Sequence, residues 1–160
     1  MQQARDEILE HIPALRTYAL SLTRNPTSAD DLVQDALIKG WRNLDRFAPG
    51  TNMRAWLFTI LRNTFYSDMR KANREVGYDD MPVGSEPFVR PDHDGRLAMD
   101  EFRVAFAKLP DDQREALTLI TVVGMTYEEA ANTCGAAVGT VKSRVNRGRA
   151  QLAKMLALGD

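Results

Sequence analysis

The sequence has few of the residues on which metal sites, disulfides and enzymes depend. Its 160 residues include one cysteine, Cys134, and two histidines, His11 and His93, which lie far apart along the chain. A single cysteine excludes an internal disulfide and a cysteine-rich zinc site. No dinucleotide-binding glycine pattern, phosphate-binding loop, zinc-protease motif or nucleophile–base signature occurs. We therefore expect a protein that is not an enzyme and that has no metal and no cofactor.

Long apolar runs and strand patterns are also missing. No stretch approaches the ~20 apolar residues that cross a bilayer, and no signal peptide opens the chain. Apolar residues recur at helical spacing, and no alternating pattern of useful length occurs. The sequence therefore predicts an all-α, soluble and cytoplasmic protein.

Charge of one sign is missing from two segments, although the formal net charge is only −1. Between Cys134 and Leu152 there are four basic residues and no acid. Residues 75–95 are rich in proline and glycine and hold six acids against one strong base, a net charge of −5. This segregation predicts an acidic linker over residues 75–95 between two small helical domains, residues 1–74 and 96–160.

The clearest motif begins at Thr126. Thr126 and Glu129 have the spacing of a helix capping box, and the small residues Ala130 and Ala131 follow. Gly135 then supplies a turn in which a positive φ costs little only for glycine. Together with an apolar residue six positions further on, this spacing predicts a helix-turn-helix.

The second helix of this motif is expected to begin near Ala137, with Val141, Val145 and Leu152 as its apolar stripe. A basic polar face opposite that stripe can hydrogen-bond base edges in a major groove, and its arginines can hold phosphates. That face consists of Thr140, Lys142, Ser143, Arg144, Asn146, Arg147 and Arg149. The alternative is a solvated basic face on an ordinary core helix; the preceding motif favours DNA binding.

Three helices are predicted in the N-terminal half. The first covers residues 6–22, with a kink or a shifted start at Pro13. The second starts with Ser28 as its cap and Asp31 at the capping-box position, and it runs to about Leu44. Its expected core residues are Leu32, Ala36, Leu37, Trp41 and Leu44.

The third predicted helix covers residues 53–72, after a loop at residues 48–52. Its core stripe consists of Trp56, Leu57, Ile60, Leu61, Thr64 and Phe65. Its remaining surface carries Arg54, Arg62, Asn63, Tyr66, Arg70 and Lys71. Basic and aromatic residues interleaved in this way suit single-stranded or melting DNA. A core helix with a merely basic polar face is an equally good interpretation of the composition.

Two helices are predicted before the helix-turn-helix. One covers residues 97–109 and directs Leu97, Phe102, Ala105, Phe106 and Leu109 inward. The other starts at Asp111, where acidic residues suit a helix N-terminus, and stops at Gly124.

In this order, three blocks resemble the extracytoplasmic-function (ECF) sigma factors of bacterial RNA polymerase. The first, similar to the polymerase-binding helix of sigma region 2, is DDLVQDALIKGWRNLDRF. The second, similar to the helix that melts and recognises the downstream (−10) promoter element, is NMRAWLFTILRNTFYSDMRK. The third resembles sigma region 4, which reads the upstream (−35) element, and spans residues 109–152. The amino-acid sequence of this third block is especially similar to that of the alphaproteobacterial general-stress-response subgroup.

The resemblance implies roles for individual residues. Asp31, Leu32, Gln34 and Asp35 match the surface that grips the clamp helices of the largest polymerase subunit. Residues 49–54 match a loop that receives a flipped base, and the implied downstream-element contacts are Asn52, Arg54, Trp56, Arg62, Asn63, Tyr66 and Arg70. The polar face of the last helix matches the upstream-element contacts, with Arg144 and Arg149 better placed for phosphate or packing.

The same resemblance implies partners. These are core RNA polymerase, through its clamp helices and flap, promoter DNA, and a small helical anti-sigma factor that docks on the apolar faces of both domains. It also implies that the acidic linker threads the RNA-exit path of the polymerase.

The chain departs from the family at three positions. Ala137 stands where proline is usual, Asp35 where glutamate is commoner, and Gly148 where alanine is usual. A glycine inside a helix is expected to cost ~1 kcal/mol relative to alanine.

Two other classes of function are compatible with parts of the chain. A stand-alone helix-turn-helix regulator would account for the C-terminal half, but neither N-terminal block resembles a dimerisation or ligand domain. A sigma-like decoy that binds an anti-sigma factor ranks last, because the basic helix is intact and the chain has no room for a fused receiver domain.

Overall fold

The computed structural model describes residues 2–48, 50–76 and 94–158. Within these ranges the chain has eight α-helices, one short 3₁₀ helix, one π-helical turn and no strand, which confirms the all-α prediction. The chain divides into two compact units, Met1–Gly84 and Ser85–Asp160. No helix of the described part is long and apolar enough to cross a membrane.

Unit 1 contains four α-helices in chain order: α1 (Gln2–Glu10), α2 (Ile12–Thr23), α3 (Pro26–Arg42) and α4 (Met53–Val76). A 3₁₀ helix, Leu44–Arg46, follows α3. The single helix predicted over residues 6–22 is two helices, because Pro13 lies in the first turn of α2, where a missing N–H is no loss.

The start of α3 differs from the prediction. Asn25, not Ser28, is the N-cap, and its Oδ1 accepts a hydrogen bond from the Ser28 backbone N–H at 3.0 Å. Pro26 occupies the first turn of the helix, where proline is preferred. Arg24 precedes this cap in the left-handed conformation, with φ 55°. The helix thus begins earlier than predicted, and it ends at Arg42 rather than at Leu44.

The core of unit 1 forms where α2, α3 and α4 pack together. Tyr18 and Phe58 are fully buried and stack with ring centroids 4.9 Å apart and planes 6° apart. Gly40 lets α3 approach α4 closely, since a methyl group on it would lie 3.1 Å from Leu57 Cδ2. Leu32, Ala36 and Leu44 are buried as predicted, but Trp41 is 44% exposed, so its predicted core position is wrong.

Unit 2 also contains four α-helices: α5 (Asp94–Ala107), α6 (Asp111–Leu117), α7 (Tyr127–Cys134) and α8 (Val138–Leu158). A π-helical turn, Thr118–Val122, extends α6, and Gly124 at φ 83° ends this segment. Of the residues predicted to face inward from α5, Ala105 is buried, whereas Phe102 is 40% exposed and that prediction is wrong. The predicted inward position of Leu97 lies outside the described side chains.

A buried arginine joins α5 to α6. Arg114 is 2% exposed, and its Nη1 donates to the Leu109 carbonyl at 2.8 Å and to the Ala107 carbonyl at 3.4 Å. Its Nη2 forms an ion pair with Asp111. The guanidinium therefore satisfies carbonyls left open at the end of α5, and it gives the LPDDQREAL segment a structural reason for its arginine.

The α6–α8 contact changes the interpretation of Gly148. A methyl group on Gly148 would lie 2.6 Å from Leu117 Cδ1, 3.2 Å from Leu117 Cγ and 3.5 Å from Gln113 Cβ. Because Leu117 is buried, it has little room to move away. The glycine that looked like a helix defect in the sequence is what lets α8 lie this close to α6.

We expect Gly148→Ala to lower the free energy of unfolding of unit 2 by about 1 kcal/mol. An overpacking cost of about 2 kcal/mol would exceed the helix-propensity gain of about 1 kcal/mol. Gly139→Ala is the matched control in the same helix, since a methyl group there meets nothing within 4 Å, and it should stabilise α8. Native-state hydrogen exchange of α8 amides reports on unit 2 alone. Greater protection in Gly148→Ala than in the unaltered protein would contradict this account.

Candidate nucleic-acid and partner interfaces

The turn between α7 and α8 is determined by local hydrogen bonds. The Glu129 N–H donates to Thr126 Oγ1 and the Thr126 N–H donates to Glu129 Oε1, both at 3.0 Å, so the predicted capping box is present. Gly135 ends α7 at φ 64°, and the Ala136 N–H donates to the Ala131 carbonyl at 3.0 Å. This is a Schellman motif, in which the left-handed residue closes the helix end. The predicted helix-turn-helix geometry is therefore formed.

The apolar stripe of α8 determines which side of the helix faces outward. Val141 and Val145 are fully buried, and Leu152 is nearly so. At 3.6 residues per turn, Ser143, Asn146 and Arg147 fall opposite this stripe, while Arg144 and Arg149 fall on its two flanks. Thr140, Lys142, Asn146, Arg147 and Arg149 are exposed; Ser143 and Arg144 are half-buried.

Two of the basic side chains on α8 contact residues that the sequence analysis did not single out. Lys142 Nζ lies 5.4 Å from the ring centroid of Tyr127, the first residue of α7. Arg144 Nε lies 3.6 Å from Asp112 Oδ2 in α6. Arg144 and Asp112 are 32 positions apart, so no local spacing could have indicated their pairing. Tyr127 could have been noticed in the sequence, because it is an aromatic residue directly after the Thr126 cap.

The outward surface of α4 brings four predicted site residues together. Arg62, Asn63, Tyr66 and Arg70 lie on one face, opposite the side on which Leu57 and its neighbours are buried. The Arg62 guanidinium carbon lies 4.6 Å from the Tyr66 ring centroid, and Phe65 meets the Tyr66 ring edge-on at 5.0 Å. An arginine over an aromatic ring offers a flat cationic surface suited to nucleotide bases.

The other predicted residues of this region lie apart from that face. Asn52 is at the start of α4, and its Oδ1 accepts from the Ala55 N–H at 3.0 Å, which is a helix-capping contact. Trp56 is half-buried against Phe47, with ring centroids 5.1 Å apart. Arg54 lies nearer the core side of the helix and is half-buried. Pro49, also assigned to this loop, lies outside the described residues.

The outer face of α3 joins acidic and apolar side chains. Asp31, Gln34 and Asp35 are exposed, as a binding surface requires. Ile38 and Trp41 follow on the same side of the helix and are 40% and 44% exposed. Leu32, in contrast, is 5% exposed and belongs to the core of unit 1. The exposed stripe, here called the α3 stripe, therefore consists of Asp31, Gln34, Asp35, Ile38 and Trp41.

A second exposed apolar stripe lies on α5. Met99 and Phe102 are 56% and 40% exposed, and Phe106 follows one turn later at half burial. Phe102 and Phe106 stack with ring centroids 5.8 Å apart. Clustered exposed apolar side chains of this kind are typical of a protein–protein contact.

The candidate sites are those of a binding protein built from helices. In the described part of the chain, no group of three His, Cys, Asp or Glu side chains could hold a metal ion. Cys134 is buried at the end of α7. A helix-turn-helix in one unit and a basic–aromatic helix in the other define a two-unit, DNA-binding protein.

Comparisons with known proteins give the family. Residues 8–75 match Sigma-70 region 2, and residues 99–152 match Sigma-70, region 4. The chain is 51% identical over 152 residues to the ECF RNA polymerase sigma factor EcfG of Rhodopseudomonas palustris (strain TIE-1), covering 95% of this chain and 84% of that protein. The chain belongs to the ECF sigma factors of RNA polymerase.

Two solved structures extend the likeness to the fold. One is the sigma factor RpoE of Bartonella quintana in complex with the anti-sigma factor NepR, with a TM-score of 0.86, 45% identity and complete coverage of both chains. The other is CnrH in complex with the cytosolic domain of CnrY, with a TM-score of 0.71 and 30% identity over 100% of this chain and 92% of that one.

Proposed function

We propose that this sigma factor directs core RNA polymerase to promoters of stress-response genes. It reads the upstream element with unit 2, and it recognises and helps to melt the downstream element with unit 1. The observation that carries the proposal is the exposed polar face of α8, which follows a fully formed capping box and Schellman turn. A face of this kind at the second helix of a helix-turn-helix is suited to a major groove.

On α8, Asn146 and Arg147 are proposed to reach base edges, because they are exposed and point away from the apolar stripe. Thr140, Lys142 and Ser143 are proposed to lie along the same groove. Arg149, exposed on one flank of the helix, suits a phosphate.

On α4, we propose that Arg62, Asn63, Tyr66 and Arg70 contact the strand exposed on melting. Their shared face and the Arg62–Tyr66 stack support this, because unpaired bases stack on aromatic rings and guanidinium planes. Asn52, Arg54 and Trp56 are proposed to shape the start of α4 and the loop before it. Residues 49–54 remain the proposed receiver of a flipped base.

The α3 stripe is proposed to bind the clamp helices of the largest polymerase subunit. It combines the exposed carboxylates of Asp31 and Asp35 with the exposed apolar side chains of Ile38 and Trp41. An exposed tryptophan is a common anchor in protein interfaces, and carboxylates around it add charge complementarity. Leu32 would support this surface from the core rather than touch the partner.

We also propose that an anti-sigma factor restrains this protein. RpoE, which resembles this chain, is solved in complex with the anti-sigma factor NepR, and CnrH, which also resembles it, is solved in complex with the cytosolic domain of CnrY. The stripe of Met99, Phe102 and Phe106 on α5 supplies an apolar surface that an amphipathic helix could cover.

The remaining parts of the proposal concern organisation. The domains are proposed to span residues 1–74 and 96–160, with residues 75–95 as the linker; α4 extends two residues into that linker and α5 begins in its last two. Most of the linker lies outside the described residues, and so does its proposed path along the polymerase. We infer a binding subunit and not an enzyme, acting in the cytoplasm, because the polymerase it serves performs the chemistry there.

The main test is transcription in vitro by core polymerase on a randomised promoter pool, with and without the protein. Promoter-selective transcripts should require the protein and fall at least about fivefold with Arg147→Ala, since a lost base contact costs about 1–3 kcal/mol. Lys154→Ala, which removes a charge from the exposed C-terminal part of α8, is the matched control and should be near wild type. No stimulation together with tight duplex binding would instead indicate a stand-alone regulator. Neither activity, with tight anti-sigma binding, would indicate a decoy.

A second prediction concerns Trp41. Trp41→Ala should weaken binding to core polymerase by about 30-fold, because a buried interface anchor contributes at least about 2 kcal/mol. Leu20→Ala removes an equally exposed apolar side chain from α2 and should leave the affinity within about twofold. Competition with a labelled sigma factor for core polymerase measures both. Equal affinities of the two variants would remove Trp41 from the interface.

A third prediction concerns α5. Phe102→Ser should weaken binding of Bartonella quintana NepR, used as the probe, by about tenfold or more, because it removes the stacked pair with Phe106. Val122→Ser alters another exposed apolar residue of unit 2 and serves as the control. Calorimetric titration compares them. If NepR binds Phe102→Ser as it binds the unaltered protein, the α5 stripe is not the docking surface.

A further inference from the structure

Arg144 differs from the other basic residues of α8 in its surroundings. Lys142, Arg147 and Arg149 are exposed, whereas the Arg144 side chain is 25% exposed and turns toward α6. Its Nε lies 3.6 Å from Asp112 Oδ2, and the Asp112 side chain is 49% exposed. Arg144 therefore already has an anionic partner within unit 2.

The position of Asp112 places a carboxylate within reach of α8. Asp112 lies in the first turn of α6, next to Asp111, where backbone N–H groups stabilise negative charge. Asp111 is engaged by the buried Arg114. The second carboxylate of this turn thus remains available to α8, and Arg144 is the cation that meets it.

The pair lies one helical turn from the close approach of the two helices at Gly148. Gly148 approaches Leu117 and Gln113, and four residues earlier Arg144 meets Asp112. The contact at Gly148 sets the distance between α8 and α6 at that point. A second contact one turn nearer the N-terminus limits how α8 can rotate about its axis. The N-terminal half of α8 carries the residues proposed to read DNA.

We propose that Arg144 is a positioning residue for DNA recognition: its ion pair with Asp112 sets the rotation of α8, and Arg144 itself does not contact DNA. The proposal rests on the proposed promoter-reading function. It makes a prediction of unusual sign. Asp112→Asn removes a negative charge from a DNA-binding unit, which by charge alone strengthens DNA binding. Loss of a positioning contact has the opposite effect.

The test uses holoenzyme assembled from core polymerase and the full chain, on a promoter recovered from a randomised pool by the unaltered protein. Asp112→Asn and Arg144→Ala should each lower selective transcription about 3- to 10-fold, and the double variant should be no worse than Arg144→Ala. Asp112→Glu keeps the charge and should restore most of the output. Glu128→Gln removes an equal charge from exposed α7 surface and should not lower it. Hydrogen exchange of α8 amides checks that each variant is folded at the assay temperature.

Salt dependence separates positioning from phosphate contact. Arg149→Ala should reduce the salt slope of promoter binding by about 0.9, as expected for one lost phosphate contact, whereas Arg144→Ala should leave it unchanged. Output from Asp112→Asn at or above that of the unaltered protein, or a reduced slope for Arg144→Ala, would overturn the inference and make Arg144 a DNA contact. Failure of the unaltered protein to stimulate transcription would overturn the proposed function, and this inference with it.

Discussion

The contact between α6 and α8 determines what unit 2 can present to DNA. A helix that reads base edges must hold its polar face at a defined distance and rotation while leaving most of that face open to DNA. Its placement therefore comes from the opposite side, where Val141 and Val145 are buried and Gly148 lies against Leu117. The α6 helix that supports α8 is itself fixed, because the buried Arg114 donates hydrogen bonds to the carbonyls of Ala107 and Leu109 at and just after the end of α5.

Unit 1 solves a related problem with α3, which has two faces in use. Its inner face is lined by small residues, including Ala29, Ala36 and Gly40, so that α3 lies close to α4. Its outer face leaves Ile38 and Trp41 half in water. Exposed apolar side chains next to carboxylates cost solubility in an isolated protein, and a protein partner that covers them removes that cost. The composition of α3 thus fits α4 on its inner side and the proposed polymerase contact on its outer side.

Features with local causes could be predicted from the sequence. The Thr126–Glu129 capping box and the Gly135 turn depend on residues three to six positions apart, and both form as predicted. The start of α3 was predicted wrongly: Asn25 caps the helix one turn before Ser28, and Pro26 occupies the first turn, where proline is preferred. Apolar spacing alone likewise assigned Trp41 and Phe102 to cores from which both are turned away.

Other features depend on tertiary contacts that no local pattern encodes. Gly148 carries the ordinary helix penalty in the sequence, and only the proximity of Leu117 shows what the glycine permits. The pairing of Arg144 with Asp112 is of the same kind. For the site, the polar face of α8 was predictable as a set, but the contacts of Lys142 with Tyr127 and of Arg144 with Asp112 were not.

The contacts that Lys142 and Arg144 make within the protein bear on how charge is used in DNA recognition. The four basic residues on the polar face of α8 suggest four contacts with DNA, yet Lys142 already lies over the Tyr127 ring and Arg144 already meets Asp112. A basic residue that is paired within the protein gains less from a phosphate, because it must exchange one anionic partner for another. Arg147 and Arg149 are exposed, so the exchange of partners costs them less when they bind a phosphate. With Arg144 in the proposed positioning role, unit 2 relies more on orientation than on charge. This suits a protein whose two DNA-binding units share one chain, because tethering raises their combined affinity only where both elements are correctly placed.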